Sequence, residues 1–341
     1  MVGPPHIDDV LCFLLRVLNK LNSPVELTNQ ALSGIPTENA DSRLQMEEIA
    51  RGLLQAEAML APKYFYDDLG SQLFHAITLL DEYYPPRVEA KIFADYGADM
   101  ARWLGDFDEL VDIGAADGKK AQSLFSVLDV KRYVAVDISA EYLIRAVEAL
   151  RRTDPQIAMR PLVQDFSDQL IVDDQFSKLF FYPGSSLGNF TPEQAKKWLS
   201  GLRSHQGCAG LMLGIDLVKA KPLLDAAYDD ALGVTASFNL NALRHVNRIL
   251  GSDFDPKQWL HRGFFNEALS RVEMRLEAKQ TLKVSWQGGS RSFQAGESIH
   301  TESSYKYTIE SLENLLKSAG FSQTNIYTDS ERWFAIVCAK P

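Results

Sequence analysis

The sequence predicts an α/β protein built on a mostly parallel sheet with helices on both faces. Short apolar runs at 109–113, 132–137, 159–163, 178–183 and 210–217 alternate with amphipathic helical patterns, which is typical of a doubly wound sheet. The second run ends in Asp137, and the first ends in a loop of small residues. Both features lie where such sheets bind ligands, so the predicted fold is Rossmann-like.

The composition is that of a globular chain. It has 341 residues, 46% hydrophobic and 23% charged, with a net charge of -10, which gives no electrostatic reason to expect nucleic acid or an anionic membrane surface. No apolar run approaches the roughly 20 residues that span a bilayer, and the first residues lack a basic stretch leading into a signal core. We expect a cytoplasmic monomer with neither nucleic-acid nor membrane partners.

Cysteine and histidine do not indicate a metal site. Cys12, Cys208 and Cys338 lie far apart in apolar settings, which favours buried reduced thiols over disulfides. The six histidines show no pairing with cysteine at ligand spacing, so no metal is expected.

The amino-terminal region is surplus to the sheet. A helix is predicted over 8–21, a polar loop over 33–43, and helices over 44–59 and 86–104. We assign 1–45 to an extension of unknown role.

A second surplus segment, about 218–306, follows the fifth strand. Helical runs at 221–232 and 239–250 and alternating strands at 270–285 indicate an ordered lobe. We expect 46–88 and 218–306 to form one discontinuous substrate-binding lobe, which leaves 89–217 and 307–341 as the sheet domain.

The end of the chain completes the sheet domain. A helix at 311–320 stops at a glycine, and the runs 324–328 and 333–339 are predicted to pair as antiparallel closing strands.

The loop after the first strand indicates a nucleotide-like ligand. It lies in Leu110-Val-Asp-Ile-Gly-Ala-Ala-Asp-Gly118 and has the spacing Gly-x-x-x-Gly rather than Gly-x-Gly-x-x-Gly. That spacing favours S-adenosylmethionine over a dinucleotide. The alternative is an ordinary tight turn that ends a strand.

Methyl transfer mainly requires alignment, with the nucleophile about 3 Å from the methyl group. Gly114 would admit the methionine portion, Lys120 would reach its carboxylate, and Asp137 would bind the ribose. Asp165 and Phe166, after the third strand, would contact the adenine. The alternatives are a solvated Lys120 and a helix-capping Asp165.

The fourth strand runs into Gly184-Ser-Ser-Leu-Gly-Asn189, a thin loop of small residues. Ser186 is assigned to the cofactor. Asn189 can donate to a carboxylate and accept from an amine, which suits an α-amino acid. Its alternative is a cap for the helix that begins near Thr191-Pro192.

Six ordered motifs carry a resemblance to a known family. They are Tyr64-Phe-Tyr-Asp-Asp-Leu-Gly-Ser-Gln-Leu-Phe74, Asp81-Glu-Tyr-Tyr-Pro-Pro-Arg87, Gly184-Ser-Ser-Leu-Gly-Asn189, Gly214-Ile-Asp-Leu-Val-Lys219, Ala227-Tyr-Asp-Asp-Ala-Leu-Gly-Val-Thr-Ala-Ser-Phe-Asn239 and Thr301-Glu-Ser-Ser304. From about residue 50 onward the chain resembles the histidine Nα-methyltransferases of ergothioneine biosynthesis. The resemblance implies a methyltransferase sheet, S-adenosylmethionine as cofactor, and trimethylation of L-histidine to hercynine.

The resemblance also implies roles for individual residues. Asn189 and Tyr228 would hold the substrate carboxylate, and Glu302 and Ser304 the imidazole. Three further positions complete the pocket, with Tyr83 and Met274 shaping it and Phe74 closing over the cofactor. Tyr66 would lie near the substrate amine and help its proton reach water. Without the resemblance, each tyrosine or methionine here is equally typical of a plain core.

Glu302 differs, because an unpaired acid in a strand-like run would be costly to bury, and an imidazole N–H would remove that cost. The cofactor loop departs from the family, since Asp112-Ile-Gly-Ala-Ala stands where relatives have roughly Glu-Leu-Gly-Ser-Gly. Two alternatives remain: an N-methyltransferase for tryptophan or dimethylallyltryptophan, and a cofactor-binding relative without turnover.

Overall fold

The computed structural model describes residues 38–167 and 169–341. The chain divides into two units, Met1–Gln45 and Met46–Pro341. All the described elements lie in the second unit, apart from the first residues of the helix that begins at Glu38. The helix predicted over 8–21, and Cys12, lie outside the described residues. In the part of the chain described, no helix is long and apolar enough to cross a membrane.

Nine α-helices are described. They are α1 (Glu38–Leu53), α2 (Asp68–Ile77), α3 (Pro85–Leu104), α4 (Lys119–Gln122), α5 (Ala140–Thr153), α6 (Pro192–Ser204), α7 (Lys221–Tyr228), α8 (Val234–Leu250) and α9 (Ile309–Ser318). Short 3-10 turns span Pro62–Phe65, Ser186–Asn189 and Pro256–Gln258.

Thirteen strands are described. They are β1 (Ala58–Met59), β2 (Glu109–Ile113), β3 (Arg132–Asp137), β4 (Ala158–Val163), β5 (Lys178–Tyr182), β6 (Cys208–Asp216), β7 (Trp259–Asn266), β8 (Arg271–Ala278), β9 (Leu282–Trp286), β10 (Gly289–Phe293), β11 (Ser298–Tyr305), β12 (Gln323–Thr328) and β13 (Phe334–Lys340).

The central sheet has seven strands in the order β12-β13-β6-β5-β2-β3-β4. Strands β2 to β6 run parallel, and β13 pairs antiparallel with both β6 and β12. The predicted strands, the predicted closing pair and the predicted helix near 311–320 are confirmed, with ends that differ by at most two residues. Every residue of β2 and β5 is buried, as a doubly wound sheet requires.

Each face of this sheet has its own core. Trp198 and Leu199 of α6 pack with Leu312 of α9 on one face. Ile92 of α3 and Leu143 of α5 pack on the other. The predicted α/β class with helices on both faces is therefore confirmed. Cys338 is buried in this sheet, whereas Cys208 is only half-buried, against the expectation of full burial.

A second sheet has four strands in the order β1-β11-β8-β7. Strand β1 pairs in parallel with β11, with Ala58 opposite Ile299. Ile49 of α1, Leu243 of α8 and Trp259 of β7 share the core beneath it. Strands β9 and β10 form a separate two-stranded antiparallel sheet.

Four predicted elements differ from the structure. The helix predicted over 221–232 ends at Tyr228, because Asp229 leaves the helical region with φ of -144°. The loop predicted over 33–43 is already helical from Glu38, because no glycine or proline follows Pro36 before Gly52. The helix predicted over 44–59 ends at Leu53, since the chain turns to place Ala58 beside β11. The helix predicted over 239–250 begins five residues earlier.

That earlier start has a local cause. Asp230 accepts hydrogen bonds from the backbone N–H groups of Val234 and Thr235 at 3.0 and 2.7 Å. Gly233 precedes the helix with φ of 73°. Together they provide the cap that begins α8.

Candidate active site

The loop after β2 has the backbone that its small residues predict. Gly114 has φ of 73°, and the N–H groups of Gly114 and Ala115 both donate to the carbonyl of Val136 at 2.9 Å. A Cβ at Gly114 would lie 3.6 Å from the Phe166 ring, so these two predicted cofactor residues lie together. Ala116 also has positive φ, 49°, a region that favours glycine.

Asp137 ends β3 and is held by local backbone. Its two carboxylate oxygens accept from the N–H of Ala116 at 3.1 Å and of Ser139 at 3.0 Å. A carboxylate fixed in this way keeps lone pairs free toward the cleft, which suits a pair of hydroxyl groups.

Lys120, at the start of α4, is only 37% exposed at its side chain and forms an ion pair with buried Glu89 at 2.5 Å. Glu89 also accepts from the N–H of Gly184 at 2.8 Å. The alternative of a solvated Lys120 is therefore wrong, because the lysine links the loops that follow β2 and β5.

Asp165 and Phe166 follow β4. Asp165 accepts from the N–H of Ser167 at 3.0 Å and pairs with Lys63 at 3.4 Å. No helix begins there in the described chain, so the helix-cap alternative is wrong. The Phe166 ring packs edge-on against Tyr182 at 6.2 Å between centroids.

The 3-10 turn after β5 carries Ser186 and Asn189. The Ser186 hydroxyl donates to the carbonyl of Pro183 at 3.3 Å. Helix α6 has its own capping box from Thr191 and Gln194, so the alternative of Asn189 as the cap is wrong. With its amide nitrogen toward β11, Asn189 lies 3.2 Å from both Ser303 O and Glu302 Oε1.

The residues assigned to the substrate lie around β11. The Tyr228 hydroxyl is 3.0 Å from Ser304 Oγ, and the Tyr83 ring lies edge-on to Tyr228 with centroids 6.0 Å apart. Met274 is buried directly opposite Glu302 in the β8–β11 pair. These five residues are brought together although the outermost two, Tyr83 and Ser304, are 221 positions apart in the chain.

Tyr66 joins this group to the cofactor group. It is 38% exposed, and Glu302, Tyr83 and Asp137 all lie close enough to raise the pKa of its hydroxyl, so Tyr66 lies between the substrate group and the proposed ribose ligand. Its ring packs edge-on against Phe74 and Phe238, both at 5.7 Å between centroids. Phe238 completes this aromatic cluster and was not predicted as a site residue.

Burial sets the protonation of the cleft. It raises the pKa of Glu302 to about 7, although Lys306 opposes the shift. Burial also raises the pKa values of Tyr66, Tyr83 and Tyr228 well above their usual value. The tyrosines are therefore neutral hydrogen-bonding groups at pH 7 and not anionic bases.

A buried ionic network beneath Tyr228 was also missed. Lys306 Nζ, fully buried, lies 2.8 Å from Asp216 Oδ2, and Lys219 Nζ lies 2.6 Å from Asp216 Oδ1. The Tyr84 hydroxyl donates to Asp216 at 2.7 Å. Burial alone would raise the pKa of Asp216, but the two lysines hold it below its usual value.

One sequence signal could have identified Lys306. Residues 302 and 304 share one face of β11, and Lys306 is the next position of the same alternation, one residue past the end of the strand. A lysine two positions after Ser304 therefore faces the same cleft.

The described residues contain no group of three or more His, Cys, Asp or Glu side chains placed to hold a metal ion. What they do contain is a carboxylate, small-residue loops and an aromatic cluster, placed beside an amide, two hydroxyls and a second carboxylate. This arrangement suits a nucleoside-bearing cofactor beside a small polar substrate.

Known proteins match almost the whole described chain. The chain is 36% identical over 300 residues to the histidine N-alpha-methyltransferase of Mycolicibacterium smegmatis, covering 86% of this chain and 93% of the relative. It is 34% identical over 310 residues to the Mycobacterium tuberculosis protein of the same name, covering 89% and 96%. It is 28% identical over 288 residues to ergothioneine biosynthesis protein 1 of Neurospora crassa, covering 81% of this chain and 32% of that longer protein.

The model of one protein family matches residues 45–341. Its description is a histidine-specific, S-adenosylmethionine-dependent methyltransferase, which agrees with the resemblance carried by the six motifs. With two relatives above 30% identity over most of their length, the chain belongs to the family of histidine-specific, S-adenosylmethionine-dependent methyltransferases.

Proposed function

We propose that this enzyme transfers methyl groups from S-adenosylmethionine to the α-amine of L-histidine, three in succession, to give hercynine for ergothioneine biosynthesis. The observation that carries the proposal is the grouping of Glu302, Ser304, Asn189 and Tyr228 around Tyr66. Tyr66 in turn lies beside Asp137, the proposed ribose ligand.

The cofactor group is proposed as Phe74, Gly114, Lys120, Asp137, Asp165, Phe166 and Ser186. Apart from Phe74, which lies on α2, their support is their position at the carboxyl edge of the sheet, in the segments that follow β2, β3, β4 and β5. When bound, S-adenosylmethionine supplies an electrophilic methyl group on a positively charged sulfur. Asp137 would orient the ribose, and Phe166 would lie against the adenine.

The substrate group is proposed to hold histidine at both ends. Tyr228 would donate to the carboxylate, while Glu302 and Ser304 would bind the ring. Tyr83 and Met274 would form the walls of the pocket. The resemblance implied that Asn189 also holds the carboxylate. Because its amide nitrogen lies against Ser303 O and Glu302, its oxygen is instead proposed to accept from the α-amine.

The amine must lose a proton before it attacks, since a free α-amine is mostly protonated at pH 7. Tyr66 is neutral because burial raises its pKa, so its hydroxyl oxygen would accept from the amine and relay a proton to water. The partial exposure of Tyr66 gives water that access. No dedicated carboxylate base is required.

Two residue groups support the lobe assignment, with 46–88 and 218–306 as the substrate lobe and 89–217 and 307–341 as the cofactor domain. Strand β1 pairs with β11, and Ile49, Leu243 and Trp259 share one core. A cytoplasmic monomer without nucleic-acid or membrane partners remains part of the proposal. The net charge of -10 supports only the absence of nucleic-acid and anionic-membrane partners.

The test is mass spectrometry of L-histidine incubated with the protein and S-adenosylmethionine. We expect products heavier by one, two and then three methyl groups. L-tryptophan and dimethylallyltryptophan, assayed in parallel, should be poor substrates. A clear shift for an indole substrate with none for histidine would transfer the assignment to that substrate, and cofactor binding without any product would indicate a non-catalytic relative.

A further inference from the structure

We propose that Lys306 is a positioning residue that turns the hydroxyl protons of Tyr228 and Ser304 toward the substrate. Ser304 then offers a proton to the ring, so the site selects a ring with an acceptor nitrogen on that side. This inference rests on the proposed function and specifies the form of the imidazole that binds.

The contacts of Lys306 fix the direction of its hydrogen bonds. Its ammonium group carries three N–H donors and no acceptor. The nitrogen is fully buried and lies 2.8 Å from Asp216, 2.9 Å from Ser304 Oγ and 3.0 Å from the Tyr228 hydroxyl. Each of the three protons therefore has one partner, and both hydroxyl oxygens must accept from Lys306.

A hydroxyl that accepts from an ammonium group directs its own proton away from it. In the structure the Tyr228 hydroxyl donates to Ser304 Oγ at 3.0 Å, so Ser304 already accepts twice. A hydroxyl oxygen has only two lone pairs, so the Ser304 proton must point out of this triangle. When a carboxylate is bound, the Tyr228 proton turns to it and Ser304 loses one of its two donors. Ser304 still accepts from Lys306 at 2.9 Å, so its own proton continues to point away from Lys306 and toward the ring.

The two ring contacts then have opposite polarity. Glu302 accepts from an N–H, and Ser304 donates to a ring nitrogen that carries a lone pair. Neutral imidazole satisfies both contacts. Imidazolium has no acceptor nitrogen, and indole has one donor and no acceptor, so each leaves the Ser304 proton without a partner.

Lys219 provides a matched control. Like Lys306 it is a buried lysine bound to Asp216, at 2.6 Å, but its other contacts are the Tyr84 hydroxyl at 2.6 Å and the carbonyl of Leu217. Lys219→Met removes a cation from the same carboxylate without removing a donor to Tyr228 or Ser304.

The first experiment is a double-mutant cycle on histidine affinity, measured by calorimetry with S-adenosylhomocysteine present. Lys306→Met and Ser304→Ala should each weaken histidine binding about tenfold. The double variant should bind histidine no more than about threefold more weakly than the weaker-binding of the two single variants. Lys219→Met should leave the Ser304→Ala effect intact. Additive losses, near a hundredfold in the double variant, would show that Lys306 does not act through Ser304.

A second measurement uses the unmodified protein and so does not depend on the variants folding. The Kd of L-histidine is compared with that of 3-(1,2,4-triazol-3-yl)-L-alanine. Its ring keeps an N–H donor and an acceptor nitrogen but stays neutral. When the pH falls from 7.5 to 5.5, the Kd of histidine should rise about tenfold relative to that of the triazole, because an imidazole of ordinary pKa, about 6.5, becomes protonated.

Glu302 also titrates, and the groups that face it are Lys306, Tyr66, Tyr83 and Tyr228. Its protonation changes the Kd values of both ligands, so the change cancels in their ratio. A ratio that moves the other way would mean that Ser304 accepts from the ring, and the inference would be wrong. If the unmodified protein binds no histidine at either pH, it is the proposed function that fails.

Discussion

The cofactor edge and the substrate side of the cleft are built in different ways. At the cofactor edge, Asp137 is held by the backbone of Ala116 and Ser139, and Asp165 by Ser167, all within 21 residues along the chain. On the substrate side, Tyr228 meets Ser304 and Lys306 across 76 and 78 residues. One region is assembled mostly by contacts within short loops, whereas the other depends on distant segments of the substrate lobe packing together.

This difference separates the effects of substitution. A change at the cofactor edge should alter cofactor affinity and leave ring recognition intact. A change on the substrate side should alter ring recognition, because each polar group there depends on a remote partner. The following substitutions test that separation.

Glu302→Ala should have the largest effect. Removing the acceptor leaves an imidazole N–H unpaired in a buried site, which costs about 1–3 kcal/mol and more when a charge is involved. We expect kcat/KM for histidine to fall at least tenfold and relative activity on tryptophan to improve, because space is vacated. The affinity for S-adenosylhomocysteine should not change. Unaltered histidine turnover would place the imidazole site elsewhere.

Asp137→Ala should weaken the binding of S-adenosylhomocysteine by roughly 1.5–3 kcal/mol, since two ribose hydroxyls lose a charged acceptor. That corresponds to about ten- to a hundredfold in Kd, measured by calorimetry. Asp117→Ala is the control, because Asp117 is in the same loop but pairs with exposed Lys119 at 3.0 Å. If both variants bound the cofactor equally well, the ribose assignment would be incorrect.

The same division explains what the sequence could predict. Gly114 and Asp137 were found from strand endings and small residues, because their geometry is set by their neighbours in the chain. Periodicity alone could not predict that Tyr228 contacts Ser304, since the contact joins two segments 76 residues apart and exists only after the substrate lobe has folded. The motif resemblance gave roles to both residues of that pair, but it gave none to Lys306 or to Phe238, although Phe238 lies within one of the six motifs.

The strands of the central sheet were predictable because each is a short, continuous apolar run between polar segments. Strand β1 was not, since two residues carry no period, and Ala58 pairs with β11 only through a contact 241 positions away. The start of α8 was missed because a cap formed by Asp230 and Gly233 overrides the apolar pattern.

Stability should depend on pH through Glu302. Burial raises its pKa to about 7 from 4.5, so the ligand-free fold binds a proton that the unfolded chain has released. Stability attributable to Glu302 is therefore present below about pH 4.5 and is lost as pH rises to 7. Glu302→Gln should raise the Tm by a few degrees at pH 8 and leave it unchanged near pH 4.5. An equal gain at both pH values would contradict this cause.

Ala116→Gly should give the smallest effect and concerns the departure from the family's loop. Ala116 has φ of 49°, where a side chain costs about 1–2 kcal/mol, while glycine loses roughly 0.5–1 kcal/mol in chain entropy. The net gain is about 0.5 kcal/mol, or a Tm rise of about 1–2 °C. The N–H that Ala116 donates to Asp137 remains, so S-adenosylhomocysteine affinity should change less than threefold.

Ala115→Gly is the matched control. Ala115 is buried and does not have positive φ, so this substitution should lower the Tm. If Ala116→Gly lowered the Tm as well, the alanine at this position would be stabilising the loop rather than straining it.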